Sequence, residues 1–104
     1  MLIEVLYVPG CPNHVFAVRR LREILRSEGM DAPISEIAVA DEITARSLRF
    51  PGSPTVRING RDAEPSGAKS FGLACRLYSN GSGVPSQETL QRAVATARNQ
   101  EGTV

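Results

Sequence analysis

No stretch of apolar residues in the sequence approaches the roughly 20 needed to cross a bilayer. The first residues also lack the basic segment, apolar run and small-residue site of a secretory leader. A cytoplasmic protein with no membrane partner is the expectation. Blocks of like charge are missing too. Twelve Lys and Arg stand against 11 Asp and Glu, a formal net charge of +1, so no basic patch argues for nucleic acid. Arg19, Arg20, Arg22 and Arg26 lie close together, but Glu23 and Glu28 are interspersed, as on a solvated helix face. Cysteine is scarce. Cys11 and Cys75 are too few and too far apart for the disulfide framework of a small secreted domain, so each is expected to be reactive, metal-binding or simply buried. There is a single histidine, His14, and neither an internal repeat nor a low-complexity segment.

What is present suits a single domain spanning 1–104, with 41% hydrophobic and 22% charged residues. Leu2 to Val8 is rich in Leu, Ile and Val and interrupted only by Glu4, which predicts a strand covered on both faces and therefore central in a layered sheet. Pro9-Gly10 ends it. Cys11 then stands just ahead of a helical pattern running from Pro12 to about Glu28, with Val18, Leu21 and Leu25 on one face and Gly29 as the stop. Unpaired N–H groups and the helix dipole favour negative charge at that end, hence thiolate over thiol. Pro12 suits the first helical position.

Residues 33–39 read as a second strand, joined to the first by a parallel crossover. Asp41 should cap a short helix to about Arg49, with Ala45 and Leu48 inward. Pro51-Gly52-Ser53-Pro54 breaks it. Thr55–Ile58 is a third strand, closed by the tight-turn pair Asn59-Gly60. Residues 61–70 read mostly as loop. Leu73–Tyr78 alternates and is the preferred fourth strand, with Arg61-Asp62-Ala63, directly across the Asn-Gly turn, as the alternative. Ser86 can cap a last helix with its stripe at Leu90, Ala93, Val94 and Ala97. The tail after Gln100 is expected to fray. The fold class is α/β, in the order βαβ-α-ββ-α, a four-stranded mixed sheet flanked by helices.

That order, with Gly10-Cys11-Pro12-Asn13-His14 after the first strand and Ser53-Pro54-Thr55 opening the third, resembles the thioredoxin-like superfamily in its small, glutaredoxin-like form. It also resembles a bacterial group of thioredoxin-like proteins with Gly-Cys-Pro-Asn early and Ala-Cys-Arg-Leu-Tyr late, some of them loosely labelled alkylmercury lyases. The resemblance implies that Cys11 is the nucleophile and that Pro54 is a cis-proline lying against it. It further implies that Ser53, Pro54 and Thr55 form the backbone surface on which an extended substrate or glutathione lies. Asn80, Gly81 and Ser82 would add N–H donors for a carboxylate. The partners implied are protein or small-molecule thiols and disulfides, with glutathione as co-substrate and no resident cofactor.

One departure matters. The Cys-x-x-Cys site of that superfamily has its second cysteine where this chain has His14, so the local resolving thiol is absent. Cys11 can still form a mixed disulfide. His14, three residues on, can reach the same helix end and act on the thiol as base or as cation. Bland readings stand beside these: Cys11 as a small buried residue, His14 as a polar residue at a helix start, Pro54 as an ordinary turn proline. Cys75 alternates with Leu73 and Leu77, which points it toward a core face. In a fourth strand antiparallel to the third, it would sit three residues short of the active end, about 10 Å away. That favours a secondary thiol over a resting Cys11–Cys75 disulfide, whose Cα atoms must lie about 4.4–6.8 Å apart. Two other functions fit the same residues. One is a soft-metal or organomercurial handler using Cys11 and Cys75, with His14 as a third ligand. The other is a non-catalytic module of the same fold.

Overall fold

The computed structural model describes residues 1–67 and 70–101. The chain runs β1 (Ile3–Tyr7), α1 (Asn13–Ser27), β2 (Ile34–Ala38), α2 (Glu42–Ser47), β3 (Thr55–Ile58), β4 (Arg61–Asp62) and α3 (Gln87–Glu101). The four strands form one mixed sheet in the order β2-β1-β3-β4. β1 pairs parallel with β2, and antiparallel with β3 in the register Val5↔Val56 and Leu6↔Thr55. The architecture is therefore α/β. Among the described residues no helix is long and apolar enough to cross a membrane.

Because strand side chains alternate, β1 feeds two cores. Ile3 and Val5, with Val56 and Ile58 of β3, pack against Val18, Leu21, Ile24 and Leu25 of α1 and Leu90, Val94 and Ala97 of α3. Leu6 points to the other face and joins Val39, Phe50 and Ala45 of α2. Three layers result, and the apolar run of β1 is explained by burial on both sides. Local signals placed the short elements as well. Asp41 accepts the Thr44 N–H at 2.7 Å and caps α2. Ser86 Oγ accepts the Thr89 N–H at 3.0 Å at the start of α3.

The fourth strand differs from the preferred expectation. It is Arg61–Asp62, across the Asn59-Gly60 turn, with Arg57↔Asp62 and Ile58↔Arg61 in register. Asn59 and Gly60 take φ of 53° and 79°, the left-handed pair that a two-residue hairpin needs. Closing that turn orders far less chain than a loop from Ile58 to Leu73. Leu73–Tyr78 forms no strand. It is a strap whose one bridge is Ser53↔Cys75, in parallel. From Cys75 on the phase is the reverse of that expected: Arg76 and Tyr78 are buried, while Cys75 and Leu77 are exposed. Leu73, half-buried, packs on the Leu6–Phe50 core as expected, and Ala74 is exposed. Residues 68 and 69 of the expected 61–70 loop, and residues 102–104 of the expected loose tail after Gln100, lie outside the described residues. Glu101, the first of that tail, is still helical and pairs with the Met1 amino group.

Candidate functional site

Cys11 sits in the turn between β1 and α1. Its N–H donates to the Val8 carbonyl at 2.9 Å, and Gly10, at φ 88°, supplies the left-handed residue that lets the chain double back. Pro12 has helical angles and is the N-cap of α1, one position earlier than expected. Lacking a side-chain oxygen, it makes no capping hydrogen bond.

Ser53-Pro54 is a cis peptide, and this segment lies against the Cys11 turn. Ser53 Oγ accepts the Val8 N–H at 2.9 Å. The same residue holds the strap: its N–H donates to the Ala74 carbonyl at 2.8 Å, and its carbonyl accepts the Arg76 N–H at 3.0 Å. Ser53 is thus bonded on one side to the Cys11 turn and on the other to the residues flanking Cys75. Cys11 and Cys75 line one cleft of about 210 Å³, with Val8, Pro12, Ser53 and Leu73 among its walls. Cys11 is half-buried, Cys75 is exposed, and both are free thiols.

Three expectations change on this geometry. Cys75 is neither partway back along a strand nor turned toward the core. It faces the cleft because Arg76 and Tyr78 take the inward positions. The backbone edge at Ser53, expected to receive an extended substrate, is already occupied by the chain's own strap. Pro54 and Thr55 are buried, and Thr55 Oγ1 donates to the Gly52 carbonyl at 2.6 Å. Two of the three backbone donors of the Asn80-Gly81-Ser82 turn are also used internally. The Gly81 N–H goes to the Tyr78 carbonyl at 2.9 Å, and the Ser82 N–H to Asn80 Oδ1 at 2.9 Å.

His14 is turned away from the cysteines. Its ring stacks on Tyr7, with centroids 3.6 Å apart, and Nε2 meets Glu36 Oε1 at 2.6 Å. It ties the first turn of α1 to β1 and β2 and does not line the cleft. Among the described residues, no group of three or more His, Cys, Asp and Glu side chains is arranged to hold a metal ion. The three-ligand set Cys11, His14 and Cys75 is therefore not assembled.

The residues that position the site were given no role from the sequence, although Arg76 and Tyr78 stand in the Ala-Cys-Arg-Leu-Tyr run. Arg76 is the anchor of the strap. Its guanidinium donates to Asp62 Oδ2 at 2.8 Å, Asp62 Oδ1 at 3.1 Å and Thr55 Oγ1 at 3.2 Å, and also to the Glu64 carbonyl. It lies 4.3 Å from the centroid of the Tyr78 ring, within cation–π range. Tyr78 donates its hydroxyl to the Pro54 carbonyl at 2.5 Å, and burial pushes its phenol well above the ordinary value. Gly52 lets the strap come close: a Cβ there would lie 3.0 Å from Arg76 Cβ and 3.2 Å from the Ala74 carbonyl oxygen. For Gly52 the available signal was the tight Pro51-Gly52-Ser53-Pro54 run, where a glycine can mark close backbone approach. Comparison with known family models, curated proteins and solved structures finds no match for the chain.

Proposed function

We propose that the protein carries out thiol–disulfide exchange, with Cys11 as the attacking thiol. The observation that carries this reading is the pairing of two free cysteines on one cleft, directly ahead of α1 and beside the Ser53-Pro54 peptide. The element order and the strand order β2-β1-β3-β4 support the thioredoxin-like resemblance. The cleft, at about 210 Å³, is smaller than the roughly 300–1,000 Å³ of small-molecule pockets. It suits the sulfur end of a thiol or disulfide, glutathione included, better than an enclosed cofactor. Cys11 thiolate attacks one sulfur of a substrate disulfide, the other sulfur leaves as thiolate, and a mixed disulfide remains on Cys11.

The test is reduction of a low-molecular-weight disulfide with glutathione as reductant. Cys11→Ser should fall to the buffer background, whereas His14→Ala, whose side chain faces Glu36 and Tyr7, should lose less. A serine variant that retains full activity would sink the reading. The same two sulfurs also suit a soft cation bound by two thiolates. Metal analysis of protein purified without chelator distinguishes that use.

A further inference from the structure

We infer that Cys75 is the resolving thiol of Cys11, so that the protein cycles between a dithiol and an intramolecular Cys11–Cys75 disulfide. This rests on Cys11 being the reactive thiol. It replaces the resolving cysteine missing at position 14 with one brought from 64 residues away by the fold.

Ser53 stands between the two thiols. Bridged neighbours on adjacent extended segments lie about 4.8 Å apart and project their side chains to the same side. Ser53 and Cys75 are such a pair, and Ser53 projects its Oγ onto the Val8 N–H at 2.9 Å. Cys75 therefore emerges toward the Val8–Cys11 turn, whose own closing bond joins the Cys11 N–H to the Val8 carbonyl. The shared cleft is the outcome. The strap is held on both sides of Cys75 by the Ala74 and Arg76 bonds to Ser53, and from beneath by the buried Arg76 guanidinium. A thiol held this way meets a mixed disulfide on Cys11 as an intramolecular partner, at an effective concentration that free thiols do not reach. Cys75 is an exposed free thiol, so its sulfur is open to the cleft.

The cycle balances. Cys11 thiolate attacks a disulfide RS–SR, giving Cys11–S–SR and RS⁻. Cys75 thiolate then attacks the Cys11 sulfur, forming the Cys11–Cys75 bond and expelling the second RS⁻. One substrate disulfide becomes two thiols as the protein dithiol loses two electrons. A small-molecule thiol, acting twice, restores the dithiol.

The experiment treats fully reduced wild type and Cys75→Ser with glutathione disulfide, quenches with an alkylating agent and reads intact mass and linked peptides. Wild type should lose the mass of two hydrogens, offer no thiol for alkylation and yield a Cys11–Cys75 peptide. Cys75→Ser should retain a glutathionyl adduct on Cys11 for at least about tenfold longer. A wild-type adduct as persistent as that of the variant, or a disulfide found only between chains, overturns the resolving role while leaving Cys11 chemistry intact. A Cys11 that takes no adduct in Cys75→Ser removes the thiol-exchange reading, and the resolving role with it.

Discussion

Replacing Arg76 with methionine keeps the aliphatic stem of the side chain and deletes the guanidinium that anchors the strap. Side-chain exposure is 4% for Arg76 and 18% for Asp62, so the lost pair is largely shielded from water. Breaking a fully buried pair by removing one partner costs about 3–5 kcal/mol, because the other charge is left uncompensated. Water reaching Asp62 offsets part of this, and the Thr55 hydroxyl keeps its bond to Gly52. The expected loss is about 2–4 kcal/mol. With a urea m-value of about 1.5 kcal/mol/M, the unfolding midpoint should fall by about 1.3–2.7 M. Asp62→Asn leaves the guanidinium its bonds to Thr55 and Glu64 but removes the counter-charge of the more deeply buried partner, and should cost a similar amount, about 2–4 kcal/mol. Because the two side chains share one interaction, the double variant should be less destabilised than the sum of the singles, with a coupling of about 1–2 kcal/mol. Strictly additive singles, or a loss for Arg76→Met within the roughly 0.5 kcal/mol of a surface change, would refute the anchoring role.

Other outcomes follow from the same geometry. Gly52→Ala should destabilise more than Gly60→Ala in the same urea assay. Both residues have positive φ, and the left-handed cost at Gly60 is about 1–2 kcal/mol, but only at Gly52 would the new methyl group meet the strap backbone. Tyr78, with its phenol raised by burial, contributes stability that is intact below the ordinary tyrosine value of about 10 and lost as pH climbs toward its folded value. Phenolate absorbance and loss of circular dichroism should therefore rise together in alkali, and Tyr78→Phe should uncouple them. Asp41 is held below the usual carboxylate range, first by the Thr44 N–H and then by the Thr44 hydroxyl. A group lowered in this way stabilises above its unfolded value and loses that contribution as pH falls through its folded value. The gap in melting temperature between wild type and Asp41→Ala should thus narrow in acid.

Much of the fold was legible because its signals are local. The apolar run of β1, the stripes of α1 and α3, the caps at Asp41 and Ser86 and the Asn59-Gly60 turn each act within a few residues of themselves. The fourth strand was misplaced because two segments had β-like patterns, and pattern strength does not record the entropy of reaching the sheet. The adjacent pair Arg61-Asp62 needed only a two-residue turn to close. His14 was legible as a neighbour of Cys11 in sequence. Its orientation depended on Tyr7 and Glu36, which lie on two different strands.

The sequence by itself determined the order of strands and helices, one thiol at the head of α1, and an alternating segment around Cys75. Tertiary structure decided which way that segment faces. Alternation with a period of two says which residues share a side, not which side is inward. Hydropathy alone turns Leu73, Cys75 and Leu77 to the core, and Leu73 does pack there. Past it, Arg76 and Tyr78 take the inward positions because Asp62, Thr55, Glu64 and Pro54, all distant in the chain, satisfy their polar groups. A buried arginine without them would be prohibitive. With them it becomes the anchor, and the phase it imposes turns Cys75 outward into the cleft of Cys11.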